Sequence, residues 1–527
     1  MAICKSNKID SNITGLYIAE EVCPAQLPTQ AVDGFTPVWY GREPNTYSDF
    51  GGDPTLLARN PIDPTRQNKR GTISDNDASG GWNEDVTKTN FTRFLQGFFF
   101  ADARRKVSTE SFTLGVPNVA LTAVTASNKT YAAAAGLGGF NTAGALVFAN
   151  GFASAANNGL KTIASATAST VVVSETIVDE AAPPAAAKLT VVGFQFAAAD
   201  AAITVVGGIT QLTATAKNLT TLGLIVGEWV FIGGDLIANR FANNVGFARV
   251  ASISAGVITF DDVTWPNPVA EAGTGKQIRI FFGTVLKNEA LPELIKRRTY
   301  SIERTLGVGP QAENATDQQA EYLEGSTPNE FTLNISQADK VNADVTFVSV
   351  DNTYRSGAAG DKLKEGTRIP GLSENAFNTS SDVYRIKMNV LDPTTSAPLP
   401  LFAFVSEATV SINNGIEPVK AVGALGAIDM SAGNFEVGGS VTAFFQGVNA
   451  SRAVRNNSDA AFNVILSSQN AGMVFDIPLM GLGGGRLNVE AGSAITVPLE
   501  PSAAANKNGY TMLYNNFPYL PSIAVRS

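Results

Sequence analysis

The sequence predicts a mainly β chain: sandwich or barrel modules, two in number, with one packed helix, plus two inserted small β domains. Three observations predict it. Charged residues are only 16 % of the 527, against about 25 % in ordinary globular chains. Gly is abundant at 49 residues, alongside much Ala, Thr, Val and Asn, a mix suited to short strands and turns. Short blocks alternate apolar and polar residues, the period of a half-buried strand, and a central stretch repeats itself. The length suits roughly three or four domains of about 100–200 residues.

Residues 1–80 read as an extended arm with turns that packs on something else. Asp53, Pro54 and Thr55, and again Asp63, Pro64 and Thr65, are turn formers, and Pro37, Pro44 and Pro61 resist helix. A helix follows. Phe91, Phe94, Leu95, Phe98 and Phe99 recur at helical spacing and share one face. Glu84 and Asp85 precede it, and Arg104, Arg105 and Lys106 lie near its end, where cations suit the helix dipole.

Residues 117–283 hold a tandem repeat. Gly144–Phe148 matches Gly227–Phe231, Asn157 to Gly159 matches Asn243 to Gly246, Ile163–Ser165 matches Val250–Ser252, and Lys188–Val192 matches Lys276–Ile280. Order is kept, so each copy is expected to be a small β-barrel or sandwich, with Ala182–Ala185 a loop in the first. A fainter duplication is read further on, Leu333–Ser336 against Ile428–Ser431 and Val345–Phe347 against Val441–Ala443. Strands are expected at Phe462–Leu466 and Met473–Ile477, with a turn at Asn470–Gly472. The expected division is 1–116 (arm, helix and part of a first module), 117–200 and 201–283 (the repeats), 284–400 (first module continued) and 401–527 (second module).

Candidate chemistry is sparse. There is no histidine, which removes His triads, His bases and His metal ligands together. Two cysteines, Cys4 and Cys23, are too few for a Cys-only zinc site; they could pair in an oxidising compartment, or stay reduced. Asp75–Gly80 starts like a calcium loop, but Val86 stands where the bidentate acid belongs, so a plain loop before the helix is the better reading. Gly273–Lys276 resembles a phosphate loop, but Ala270 and Gln277 break the motif and a strand follows, so a hairpin turn is expected. Lys296, Arg297 and Arg298 form the densest basic cluster, read as a solvated edge or half of an intersubunit ion pair rather than a nucleic-acid site. Glu20 and Glu21, and Asp261 and Asp262, are adjacent carboxylates that a strand sends to opposite faces. No catalytic, cofactor-binding or metal-binding residue is assigned, and no enzyme activity is expected.

The net charge is −9, which disfavours holding nucleic acid through its phosphates but suits DNA sliding past. Residues 1–8 lack the apolar stretch of a secretory signal, and no run of 18 apolar residues occurs, so neither export nor membrane insertion is expected.

Several blocks together resemble the tail tube (major tail) proteins of long-tailed phages: Tyr322–Ile335, Val345–Val348, Ile412–Pro418, Gly433–Thr442, Phe475–Leu479 and Phe517–Pro521. The likeness covers roughly residues 290–520, with the helix at 91–99 a candidate further piece of the same domain. The resemblance implies a β-sandwich with a packed helix. It further implies self-assembly into rings whose sheets join around a lumen, and stacking of rings into a conduit for phage DNA. Partners would be sister chains, in rings of three with pseudo-sixfold symmetry, and other tail proteins at the tube ends, with DNA passing transiently. The chain would be made in the host cytoplasm and end in the virion. This chain departs from the simplest members in size. The alternative is a surface-exposed β-sandwich adhesin or S-layer-like protein, which the missing export signal disfavours.

Overall fold

The computed structural model describes residues 9, 11–59, 61–62, 64–67, 69–307, 318–357, 365–372, 374–391, 398–402, 404–468 and 470–525. Strands dominate, and the helices are short: Gln30–Asp33, Leu95–Phe99 and Asn449–Arg455. Alternating side chains bury one face of each strand. In Gln318–Ser336 these are Phe331, Leu333 and Ile335; in Asn342–Ser349, Ala343, Val345 and Phe347; in Val405–Asn413, Ala408, Val410 and Ile412.

The body repeats one strand order twice. In the first half a sheet runs Pro44–Arg59, Lys69–Asp85, Asn342–Ser349, then the C-terminal part of Gln318–Ser336. The N-terminal part of that last strand bends into a second sheet, between Tyr300–Gly307 and Asp351–Gly357. That sheet continues through Gly15–Glu20 to Val38–Arg42. The second half runs Val405–Asn413, Glu436–Phe444, Thr496–Ala503, then the C-terminal part of Ala471–Gly484. That strand also bends away, between Ala460–Ser468 and Leu513–Phe517, and its second sheet continues through Val383–Leu391 to Pro398–Pro400. Even the bulges recur: Tyr300/Ile302 matches Ala460/Phe462, and Pro44/Thr46 matches Val405/Glu407. The helix Leu95–Phe99 follows the first hairpin as Asn449–Arg455 follows the second. The halves are joined by pairing of Glu330–Ser336 with Glu407–Asn413.

One large core lies between these sheets. Phe91, Phe94, Leu95, Phe98 and Phe99 are all buried in it. Phe98 meets Phe331 and Phe347 at ring distances of 5.8 and 5.6 Å, and Trp82 stacks on Phe347 at 5.4 Å. The five apolar groups thus find the sheet faces that their spacing demands. The helix itself starts later than the spacing predicts, since residues 91–94 form a bend and turn ahead of it; Phe100, in a left-handed conformation (φ 48°), ends it after Phe99. Arg104 therefore caps nothing and pairs with Glu289.

The arm expected at residues 1–80 packs on its own chain, and does so as strands of the body: Leu16, Ile18 and Trp39 are buried, and Asp53 and Pro54 lie in a strand rather than a turn. Edge position explains this: a proline on the open side of an edge strand costs no ladder hydrogen bond. Asp63 and Cys4 lie outside the described residues; Cys23 is exposed.

Residues 121–281 form a 13-stranded sheet with a repeated order. Lys188–Gln195, Ala145–Asn150, Gly159–Ala166, Thr170–Val173, Thr130–Ala133 and Leu121–Thr125 neighbour one another in that sequence. Arg279–Phe281, Trp229–Ile232, Gly246–Ile253, Val257–Val263, Ile209–Ala214 and Ala201–Val206 do the same. Lys188–Gln195 and Arg279–Phe281 pair with each other and join the copies. Each copy also carries the same carboxylate clasp. Glu180 accepts from the Ala153 and Ser154 backbones and Asn157; Glu271 accepts from the Ala242 and Asn243 backbones and Asn244. Both copies dock on the body: Leu146, Trp229, Phe231 and Phe247 pack on Ile465, Val474, Leu513 and Phe517.

The fainter duplication has a different register from the one the sequence blocks suggest. Leu333 is fully buried in a central strand, whereas Ile428 is 55 % exposed on the small hairpin Glu417–Lys420/Ala427–Ser431. Strand pairing aligns Leu333 with Leu487 instead, because Asn334 opposes Asn342 as Asn488 opposes Thr496, all at a spacing of 154 residues. The second half also begins at Val383–Leu391, ahead of residue 401.

Candidate functional site: an acid-lined sheet face

Pairing of Glu330–Ser336 with Glu407–Asn413 makes the first sheets of the two halves one continuous surface. Its inward side is the core. Its outward side carries the alternate residues: Asp85, Asp344, Glu330, Glu407, Glu436 and Glu500, interspersed with Asn, Ser and Thr. The strand segments 44–48, 79–85, 329–336, 342–349, 407–413, 436–442 and 496–502 contain no Lys or Arg.

A lateral ladder fixes Asp85, Asp344 and Glu330. Asn45 Nδ2 donates to Asn83 Oδ1 (3.0 Å) and Asp85 Oδ1 (2.8 Å). Asn83 Nδ2 donates to Asn342 Oδ1 (3.0 Å) and Asp344 Oδ1 (2.8 Å). From the other side Asn334 Nδ2 donates to Asp344 Oδ2 (2.6 Å). Across the junction of the halves, Asn413 Nδ2 donates to Glu330 Oε1 (2.9 Å). Amides spanning neighbouring strands are the polar form of cross-strand pairing. They occupy carboxylate lone pairs while leaving the charges in place. Cations stand at its borders: Lys340, in the turn beyond, pairs with Asp85, and exposed Arg486 precedes Leu487 at the far end of the doubled sheet. Such a surface offers phosphates repulsion and few donors.

Two hairpins project beside this face. The tip of Pro44–Arg59/Lys69–Asp85 exposes Leu56, Leu57 and Ile73, and the smaller hairpin exposes Val419, Val422, Leu425 and Ile428. Lys420 Nζ clamps them together by binding Asp75 and, at 2.6 Å, Asp77. The would-be calcium loop is therefore part of a strand whose acids hold a lysine. Among the described residues no three His, Cys, Asp or Glu side chains converge on a metal position.

The remaining motifs are structural. Gly273–Lys276 turns between Glu271–Ala272 and Arg279–Phe281, which pair with different neighbours, so it is not a hairpin. Lys296 pairs with Asp102, Arg297 with Asp429 (2.9 Å), and Arg298 with Glu20 (3.0 Å) and Asp102, all within the chain. Glu20 and Glu21 do diverge: Glu21 accepts from Ser301 Oγ at 2.7 Å. Burial raises the pKa of both carboxyls.

Doubled sandwiches with an acid-lined outward face define a mainly β protein built from repeated sheets. A family model described as phage tail tube protein matches residues 220–503, more than half of the chain, and the chain belongs to that family. No curated protein matches it. The family is one of structural components of the phage tail, and hence of the virion. Among the described residues no helix is long and apolar enough to cross a membrane.

Proposed function

We propose that copies of this chain close into rings, that the rings stack into a tube, and that the acid-lined face forms the wall of a lumen through which phage DNA passes. The observation that carries this reading is the acid-lined outward face that runs across both halves, free of Lys and Arg over the seven strand segments from 44–48 to 496–502. A polyanion meeting carboxylates and neutral amides finds no site at which to lodge.

On this reading the two halves are two tube modules. The first comprises residues 11–116 with 284–357, and the second runs from 383 to the C-terminal strand Leu513–Phe517. Three chains then supply six modules and complete a pseudo-sixfold ring. The inserted repeats decorate the outside of the tube; their docking on the sheet that faces away from the acidic surface supports this. The clamped hairpins, with their exposed apolar tips, reach the next ring. Other tail proteins terminate the tube, and assembly begins in the host cytoplasm, where the chain is made.

Negative-stain images of concentrated purified protein test the reading. Hollow, striated tubes or rings support it, and a dispersed monomer at every concentration overturns it.

A further inference from the structure

The junction between the halves describes a second junction that the lone chain leaves open. Within the chain, Asn334, Ile335 and Ser336 oppose Thr409, Ala408 and Glu407. The equivalent of the first strand end is Asn488, Val489 and Glu490, 154 residues later, since Asn488 opposes Thr496 as Asn334 opposes Asn342. The shared bulge makes Ser48, Tyr47 and Thr46 the equivalents of Thr409, Ala408 and Glu407. Both equivalents are edges. Among the described residues, Pro44–Ser48 pairs only with the strand Lys69–Asp85, whereas Val405–Asn413 has strands on both sides.

Exposure marks the missing neighbour. Leu333, Ile335 and Val341 are 0, 4 and 0 % exposed where the junction is made. Their equivalents Leu487, Val489 and Ile495 are 37, 68 and 39 % exposed where it is not. Apolar side chains at core-facing positions of an unpaired strand mark a site for strand addition.

We infer that Leu487–Glu490 of one copy adds to the open edge Pro44–Ser48 of a second copy, antiparallel, with Asn488 opposite Ser48, Val489 opposite Tyr47 and Glu490 opposite Thr46. The inference rests on the ring reading and names the contact that closes the ring. The occupant is a second copy because the chain already contains both partners of this pairing in complementary form, one at each end of the doubled sheet.

Opposed antiparallel residues have Cα atoms about 4.5–5.5 Å apart, within the range of about 4.4–6.8 Å that a disulfide spans. The test uses the full chain with Cys4→Ser and Cys23→Ser, carrying Ser48→Cys and Asn488→Cys, oxidised after assembly. Covalently linked closed oligomers are expected, and none when Asn45→Cys replaces Ser48→Cys. A second variant, Val489→Asp, alters a position already exposed in the lone chain. It is expected to leave the monomer's melting temperature unchanged and abolish rings. Rings that form without the 48–488 cross-link, or that form equally well with Val489→Asp, overturn this pairing while the ring reading stands. Protein that never leaves the monomeric state overturns both.

Discussion

Arg249 of the inserted repeats reaches Asp476 of the body, its Nη1 lying 3.1 Å from both carboxylate oxygens. Asp476 is fully buried, and burial pushes its carboxyl up to about 6 despite the guanidinium beside it. Asp261 approaches the same arginine at 2.8 Å. Because the folded pKa lies above the unfolded value, the contribution of Asp476 is most favourable in acid and is lost as pH rises through about 6. Removing the cation strands a buried acid, which costs about 3–5 kcal/mol. Arg249→Met should therefore destabilise the chain strongly at pH 8 and less at pH 5, where Asp476 takes up a proton. Thermal melts at the two pH values check this; an equal loss at both contradicts it.

The aromatic helix should be the most sensitive part of the core. Phe98 is fully buried and meets Phe94, Phe331 and Phe347. Phe98→Ala leaves a cavity shared by the helix and two strands, for a loss of about 3–5 kcal/mol. Denaturant unfolding should show a lower midpoint at unchanged slope.

The carboxylate clasps give the inserted repeats an acid sensitivity. Burial opposes the charge of Glu271, but the Ala242 and Asn243 amides and Asn244 outweigh it and hold its pKa below the ordinary value. Glu180 is held down likewise by Asn157, Ala153 and Ser154. A lowered folded pKa means stability that is present above about 4.5 and lost as pH falls through the folded value. Glu271→Gln should cost about 1 kcal/mol at neutral pH and flatten this loss. Melting the isolated variant from pH 7 to pH 3 checks both.

The hairpin clamp should matter to stacking and not to folding. Lys420 and its partners Asp75 and Asp77 lie at the surface, where an ion pair contributes little to stability. Lys420→Glu sets like charges against each other and misaligns the two apolar tips. Melting should be unchanged, while tubes imaged by microscopy become short stacks or single rings.

The acidic face should be convertible. Asp344→Lys, Glu407→Lys and Glu436→Lys together place three cations on the outward side. Assemblies of this variant should retain double-stranded DNA in a strongly salt-dependent manner, and parent assemblies should not. Equal retention by both in a filter-binding assay would place the face away from the lumen.

How far the sequence could be read depended on what each position has to satisfy. The inserted repeats were legible because turns demand particular residues: Gly144 and Gly227 both adopt positive φ, 85° and 90°, and only glycine does so freely. The five aromatic groups of the helix were legible because a core requires them. The body's doubling was legible in number but not in register, because strands pair through backbone and their inward positions accept any apolar group. Val345 and Leu499, and Ala343 and Val497, are equivalent buried positions that share no identity. One signal was present: Leu333, Asn334 and Ile335 recur as Leu487, Asn488 and Val489. The acidic face was not legible either. Its members come from six strands scattered between Asp85 and Glu500, and only the pairing order places them side by side.

The central claim is that one chain supplies two tube modules, so the copy number per ring is its most direct measure. Native mass spectrometry of released rings, with the chain mass of 55.1 kDa as the unit, should give three copies around a lumen of pseudo-sixfold symmetry. Six copies per ring, or a single copy under all conditions, would contradict it.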